Sequence, residues 1–153
     1  MPRRVNLRLL REPAVTVSRA SIYEDEIIYV FTADKKIQYP NGRSRIVYIG
    51  KTEAGISRVT SSAAYRAKDI LDESGVYLFE AKIVHYPKDQ IDRRQTWRKT
   101  PPILLERALL IAFSEKYGKP PLCNDKGAKM KASYGEFTKF SRSRVDRIIE
   151  DLS

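Results

Sequence analysis

The 153-residue chain is poor in cysteine, histidine and tryptophan, with one of each, and has no long hydrophobic run. The lone cysteine, Cys123, excludes an internal disulfide and any cysteine-based zinc site, and it suits a reducing, intracellular setting. The lone histidine, His85, offers no metal-ligand set, although an imidazole titrates near neutrality and could move a proton. No apolar stretch is long enough for a signal h-region or a membrane span, so the expected compartment is the cytoplasm. Carboxylates are also in deficit. Against 19 acidic residues stand 29 lysines and arginines, a net charge of +10 with an isoelectric point near 9.8. A surplus of cations favours polyanions such as nucleic acid, but it equally suits a merely soluble or ribosome-like basic protein.

What is present is centred on residues 26–66. Ile27-Ile28-Tyr29-Val30-Phe31 and Val47-Tyr48-Ile49-Gly50-Lys51-Thr52 are short, rich in β-branched and aromatic residues and bounded by polar ones, so each reads as a strand. Between them Tyr39-Pro40-Asn41-Gly42 is a turn signal. The expectation is a β-hairpin with a long basic tip from Asp34 to Arg45. Alternation puts Ile27, Tyr29 and Phe31 on one face, and Ile46, Tyr48 and Gly50 on one face of the partner. Two phenols then stand beside a glycine that leaves room for a ligand. From Gly55 to Leu71, apolar residues at Val59, Ala63, Ala67, Ile70 and Leu71 have helical spacing, with Ser57 as the expected N-cap. The neighbouring stripe is Arg58, Ser62, Tyr65 and Asp69.

Val76 to His85 alternates and predicts a third strand, with Tyr77, Phe79, Ala81 and Ile83 on one face. Tyr86 to Pro102 is a basic connection in which Lys88, Arg93, Arg94, Arg98 and Lys99 surround Trp97. Cations interleaved with an aromatic suit a loop that grips phosphates while the ring stacks on a base; the alternative is a ring that anchors the loop to the core. Ile103 to Phe113 is apolar almost all round and predicts a buried helix, in which Glu106 is anomalous because a buried carboxylate is costly unless paired or bound to a cation. A salt bridge to Arg107 or another arginine would satisfy it. Asn124 follows Pro120-Pro121 in a loop, where its amide could hold the site's architecture or a phosphate. The segment after it is lysine-rich, with Lys126 and Lys129 as backbone-contacting candidates. Val145, Ile148, Ile149 and Leu152 form the stripe of a last amphipathic helix. The N-terminal residues, with Arg3, Arg4, Arg8 and Arg11 among Val5, Leu7 and Leu9, suit either an extended basic arm or an extra edge strand. The fold class expected is a small α/β domain of α+β type, a three-stranded, mainly antiparallel sheet flanked by helices, with residues 1–153 forming one domain.

Five of these elements, in this order, resemble the GIY-YIG nuclease superfamily over roughly residues 26–125. Ile27-Ile28-Tyr29 stands where the family has Gly-Ile-Tyr, and Tyr48-Ile49-Gly50 is its second motif intact, followed by Lys51-Thr52. Arg58 lies ten residues beyond Tyr48, Glu106 sits in an apolar helix, and Asn124 comes shortly after a proline. Two positions depart from the pattern. Ile27 replaces the first glycine, and Ser62 stands where the family often has histidine or tyrosine; Tyr65, one helical turn further on, could substitute.

The resemblance implies a divalent-metal-dependent endonuclease acting on DNA, with duplex as the expected form. Glu106 would hold one Mg²⁺ or Mn²⁺, Arg58 would neutralise the transition state, and Tyr29 would activate water, with Tyr48 beside it. Lys51, Tyr65 and Asn124 complete the candidate catalytic set. Lys51, Arg58, Arg93, Arg94, Trp97, Arg98, Lys99, Lys126 and Lys129 are the nucleic-acid-binding candidates. A phenol with a pKa near 10 is a poor base at neutral pH, so cations such as Arg58 and Lys51 would have to favour phenolate. A catalytically inactive nucleic-acid-binding protein of the same fold is the alternative, and a protein-interaction module a third. A homodimer would let so small a domain cut both strands, though no sequence feature establishes one. Trp97→Ala is expected to change substrate affinity or preference more than folding; a marked loss of thermal stability in that variant would instead put the ring in the core.

Overall fold

Ile27-Ile28-Tyr29-Val30-Phe31 has no polar position because it is buried on both sides. It opens β1 (Ile27–Tyr39), the middle strand of a three-stranded antiparallel sheet whose other members are β2 (Gly42–Thr52) and β3 (Phe79–Val84), in the order β2-β1-β3. A central strand with helices over both faces must be apolar at odd and even positions alike. The computed structural model describes residues 25–84, 101–124 and 142–153, with 6–9, 11–14, 16, 18 and 20–23 of the N-terminal arm; for 101–104 it describes the backbone alone. The described helices are α1 (Ile56–Ser74), α2 (Pro101–Tyr117) and α3 (Arg142–Leu152), with a 3-10 turn at Leu122–Asn124. The expected small α+β architecture is therefore the one found. Among the described residues no helix is long and apolar enough to cross a membrane.

Two apolar layers sandwich the sheet. Ile28 and Val30 join Ile46, Ile49, Leu109, Phe113, Val145 and Ile149 in the layer shared with α2 and α3. Ile27, Tyr29, Phe31 and Ala33 join Val47, Val59, Ile70 and Val76 in the layer beneath α1. The aromatic side chains knit the second layer: ring centroids of Phe31 lie 5.3 Å from those of Tyr29, Tyr48 and Phe79. Such tilted pairs add about 0.5–1.5 kcal/mol each beyond the area they bury.

Several expectations are corrected. The hairpin has no loose tip: β1 and β2 stay paired through Tyr39↔Gly42, so the connection is the two residues Pro40-Asn41. Ile46 and Tyr48 do not share a face. The register shifts between Phe31 and Thr32, so that Phe31 opposes Tyr48 while Thr32 opposes Ile46, leaving Val47 as the extra residue of a bulge. Val47 and Tyr48 both turn toward the α1 layer, and Ile46 packs with α2. The third strand begins at Phe79 rather than Val76, and Tyr77, 84% exposed, is outside it. The described arm residues form no strand, with Leu7 and Leu9 in solvent.

The entry to α1 also differs. Gly55, not Ser57, is the N-cap, and no side chain caps the helix. Gly55 has φ 72° and ψ −166°, a region open essentially to glycine alone, and its N–H donates to the Asp25 carbonyl at 2.9 Å. The chain can thus turn from β2 directly into α1. Gly55→Ala is expected to cost about 1–3 kcal/mol in denaturant unfolding, whereas Ser57→Ala stays within about 0.5 kcal/mol; the reverse ranking would restore Ser57 as the cap.

Candidate active site

Gly50 is the floor of the site. A Cβ built on it would lie 2.6 Å from Tyr48 Cε1, 2.8 Å from the Tyr48 hydroxyl and 2.9 Å from Tyr29 Cζ. All three are closer than real Cβ contacts, so only glycine lets both phenols close over the strand. Tyr29 and Gly50 are cross-strand partners, and Tyr48, two residues before Gly50 in regular register, shares their side. The rings sit 5.8 Å apart at 50°.

Two of the hydroxyls are joined. The Tyr29 hydroxyl donates to Ser62 Oγ at 3.2 Å, and Tyr29 in turn disfavours ionisation of Tyr48. Ser62 is therefore a direct partner of Tyr29. Tyr65 is 79% exposed and makes no hydrogen bond to these residues. Arg58 lies exposed in the first turn of α1, four residues before Ser62 and eight before Arg66, in one helical row.

Arg66 is the residue that sequence reasoning missed. Its guanidinium carbon sits 3.8 Å from the centroid of the Tyr48 ring, and Nη1 donates to the Cys123 carbonyl at 3.2 Å. Nε is buried with no hydrogen-bond partner among the described residues. A cation in line with Arg58 and Ser62 was visible in the sequence, but the contact depends on how α1 crosses β2, which no local pattern encodes.

Asn124 spends its amide on the backbone. Its Oδ1 accepts from the Ile49 N–H at 2.9 Å, and its Nδ2 donates to the Ile49 carbonyl at 2.8 Å. It thereby occupies the free edge of β2 between Tyr48 and Gly50. Of the two sequence-level options, architecture rather than a free donor for phosphate describes these contacts.

Glu106 comes from α2. Its carboxylate is half-buried, and burial raises its pKa above the ordinary value, with Lys51 and Arg107 pulling the other way. Among the described residues it makes no ion pair within 4.0 Å, so the salt bridge to Arg107 is not formed. Its negative charge also disfavours ionisation of Tyr48. Glu106 thus lies within electrostatic reach of Tyr48 and Lys51, whose side chains leave β2 on opposite faces by alternation. The site wraps the β2 edge.

Tyr48 remains a phenol. Burial, chiefly, and then the neighbouring Tyr29 push its pKa up to about 12; Arg66 opposes them without prevailing. His85, Arg93, Arg94, Trp97, Arg98, Lys99, Lys126 and Lys129 lie outside the described residues. Among the described residues no group of three or more His, Cys, Asp or Glu side chains could hold a metal ion. A half-buried carboxylate with no cation paired to it among the described residues does fit a one-carboxylate site completed by water and substrate, the arrangement typical of Mg²⁺.

Compared with protein-family models, curated proteins and solved structures, the chain has no match.

The Tyr48 proton is held more tightly in the folded protein, at about 12 against an ordinary 10. Its contribution to stability is therefore whole below pH 10 and is lost as pH rises toward 12. Burial pushes Tyr39 up to about 12 as well, so ultraviolet phenolate titration should show two late-ionising tyrosines in wild type and one in Tyr48→Phe, and Arg66→Met should delay the Tyr48 part further. A titration identical in wild type and Tyr48→Phe would sink the assignment.

Proposed function

We propose that the protein is a phosphodiester hydrolase acting on DNA, a divalent-metal-dependent endonuclease of the GIY-YIG type. One observation carries the reading. Tyr29, Tyr48, Ser62 and Glu106 come from two strands and two helices to the neighbourhood of Gly50 and Tyr48, with Tyr29, Tyr48 and Glu106 at their places in the family's motif order.

Hydrolysis needs a water in line with phosphorus, a place for its proton, and donors for the charge that builds on the phosphoryl oxygens. The Tyr29 hydroxyl first releases its own proton to solvent, whereupon Ser62 Oγ, now its acceptor at 3.2 Å, turns to donate to the phenolate oxygen, and that oxygen takes the water's proton. Tyr48, neutral and donating, orients the water or a phosphoryl oxygen. Arg58 meets the equatorial oxygens with a planar fork that a lysine lacks. Lys51, half-buried beside Glu106, adds positive potential there. Glu106 would hold one Mg²⁺ or Mn²⁺, and that ion, when bound, supplies Lewis-acid stabilisation of the leaving oxygen. Asn124 and Arg66 touch no substrate in this scheme; they hold the strand and ring that do.

The test is supercoiled plasmid at low salt with Mg²⁺, with Mn²⁺ and with chelator, alongside Glu106→Ala. Metal-dependent nicking is expected in wild type, falling roughly 100-fold or more in the variant while DNA binding persists. DNA that is retarded but never cut, on plasmid and on branched substrates alike, would replace the nuclease by a binding protein of the same fold.

A further inference from the structure

Pairing between β1 and β3 ends at Ala33↔Phe79, but β1 and β2 run on together to the Pro40-Asn41 turn. In this distal ribbon, residues 34–45, the ladder resumes at Ile37↔Ser44 after an irregular stretch at Ala33–Lys36, and the face bearing Tyr39 and Ser44 is buried while half-buried Ile37 touches both apolar layers. Tyr39 is buried against Phe113 and Tyr117, with ring centroids 5.1 and 5.9 Å away, and donates to the Ile46 carbonyl at 2.7 Å. Ser44, also buried, donates to Ser153 Oγ at 2.9 Å beside α3, and the Asn41 N–H donates to the Tyr117 carbonyl at 3.1 Å. The ribbon is thus backed by α2 and α3.

Its other face is bare and basic. Lys36 and Gln38 alternate with Ile37 and Tyr39, and Arg43 and Arg45 alternate with Ser44 and Ile46; all four are exposed. Arg43 stands directly across from Gln38 and reaches the Lys36 carbonyl at 3.4 Å. The Gln38 amide nitrogen is pinned to the carbonyls of Tyr39 and Gly42 at 2.8 and 3.2 Å, leaving Oε1 as an outward acceptor. Across 34–45 four cations, Lys35, Lys36, Arg43 and Arg45, face one acid, Asp34, and none of the four makes an ion pair among the described residues.

We propose that this face is a second DNA contact, in which the ribbon lies in the major groove of a duplex, Arg43 reads a guanine edge, and Lys36 and Arg45 hold the flanking phosphates. The proposal rests on the nuclease reading above and adds a recognition element to it. A B-form major groove, about 12 Å wide, admits a two-stranded ribbon, whereas the groove of an RNA helix is too deep and narrow. Arginine's fork matches the two acceptors of guanine, and that pairing discriminates between bases where a phosphate contact does not. Arg45 also leaves β2 on the side of Tyr48, five residues beyond Arg43, or about 17 Å of strand. Ribbon and site therefore address one duplex within about half a helical turn.

The experiment selects from a random-sequence DNA duplex library with Glu106→Gln, which binds without cutting, and with the same protein carrying Arg43→Lys, Arg43→Ala, Lys36→Ala or Arg45→Ala. Expected are a guanine-containing preference in the parent, a loss of roughly 10- to 100-fold in discrimination at that base in both Arg43 variants, and, for Lys36→Ala and Arg45→Ala, a fall of about 0.9 in the slope of log affinity against log salt. Equal melting temperatures check that the exposed substitutions leave the fold intact. Selections and slopes identical to the parent's overturn the ribbon contact alone. Equally tight, ribbon-dependent binding to duplex RNA overturns groove entry. A parent protein that holds no DNA overturns both this contact and the nuclease reading, whereas a binding parent with unaffected ribbon variants leaves the latter standing.

Discussion

The backbone of Ile49 must be satisfied on the side of β2 that no strand covers. A buried peptide N–H or carbonyl without a partner costs about 1–3 kcal/mol, and Ile49 sits between the tyrosine and the glycine that define the site. Asn124 meets both groups at once, acting as a one-residue strand substitute. Because its turn also supplies the Cys123 carbonyl to Arg66, and Arg66 lies over Tyr48, one polypeptide turn holds strand, helix and the Tyr48 ring in a fixed relation. The remaining parts of the site gain their geometry from that junction.

Against this fixed edge the electrostatics are uneven. Tyr48 is enclosed by rings and pushed toward its neutral form, while Glu106, on the outer side, keeps one flank toward solvent and the other toward Lys51. A proton-holding donor and a carboxylate with no ion pair among the described residues are useful to phosphate chemistry, since one supplies a hydrogen bond and the other a hard oxygen for a cation. Neither arrangement favours stability by itself. A chain selected for stability alone would more readily fill these positions with apolar groups.

Much of this was readable from residues. The doubly apolar β1 segment, the Tyr-Ile-Gly strand, the α1 spacing and a lone glutamate in an oily helix each announced themselves by composition and period. Other features were hidden for physical reasons. A bulge changes which face a residue meets without altering the residue types, so the separation of Ile46 from Tyr48 had no local signal. The distal half of the hairpin is polar on its open face and interrupted by a second register shift, which made paired strand resemble loop. Gly55 outranked Ser57 as cap because the turn out of β2 demands a backbone shape, and a hydroxyl's hydrogen bond cannot substitute for it. Arg66 and Asn124 act across the chain on partners far away in sequence, where pattern reading has least reach.

The length of α2 has a mechanical meaning. Glu106 lies near its beginning, and Phe113 and Tyr117 grip the hairpin near its end, eleven residues later. At about 1.5 Å per residue the helix is a strut of roughly 17 Å between the two, and unlike a loop it neither stretches nor folds. Anything gripped at the hairpin tip is thus set at a constant reach from the carboxylate. The protein is built as a caliper, with its jaw spacing set by the number of residues in one helix.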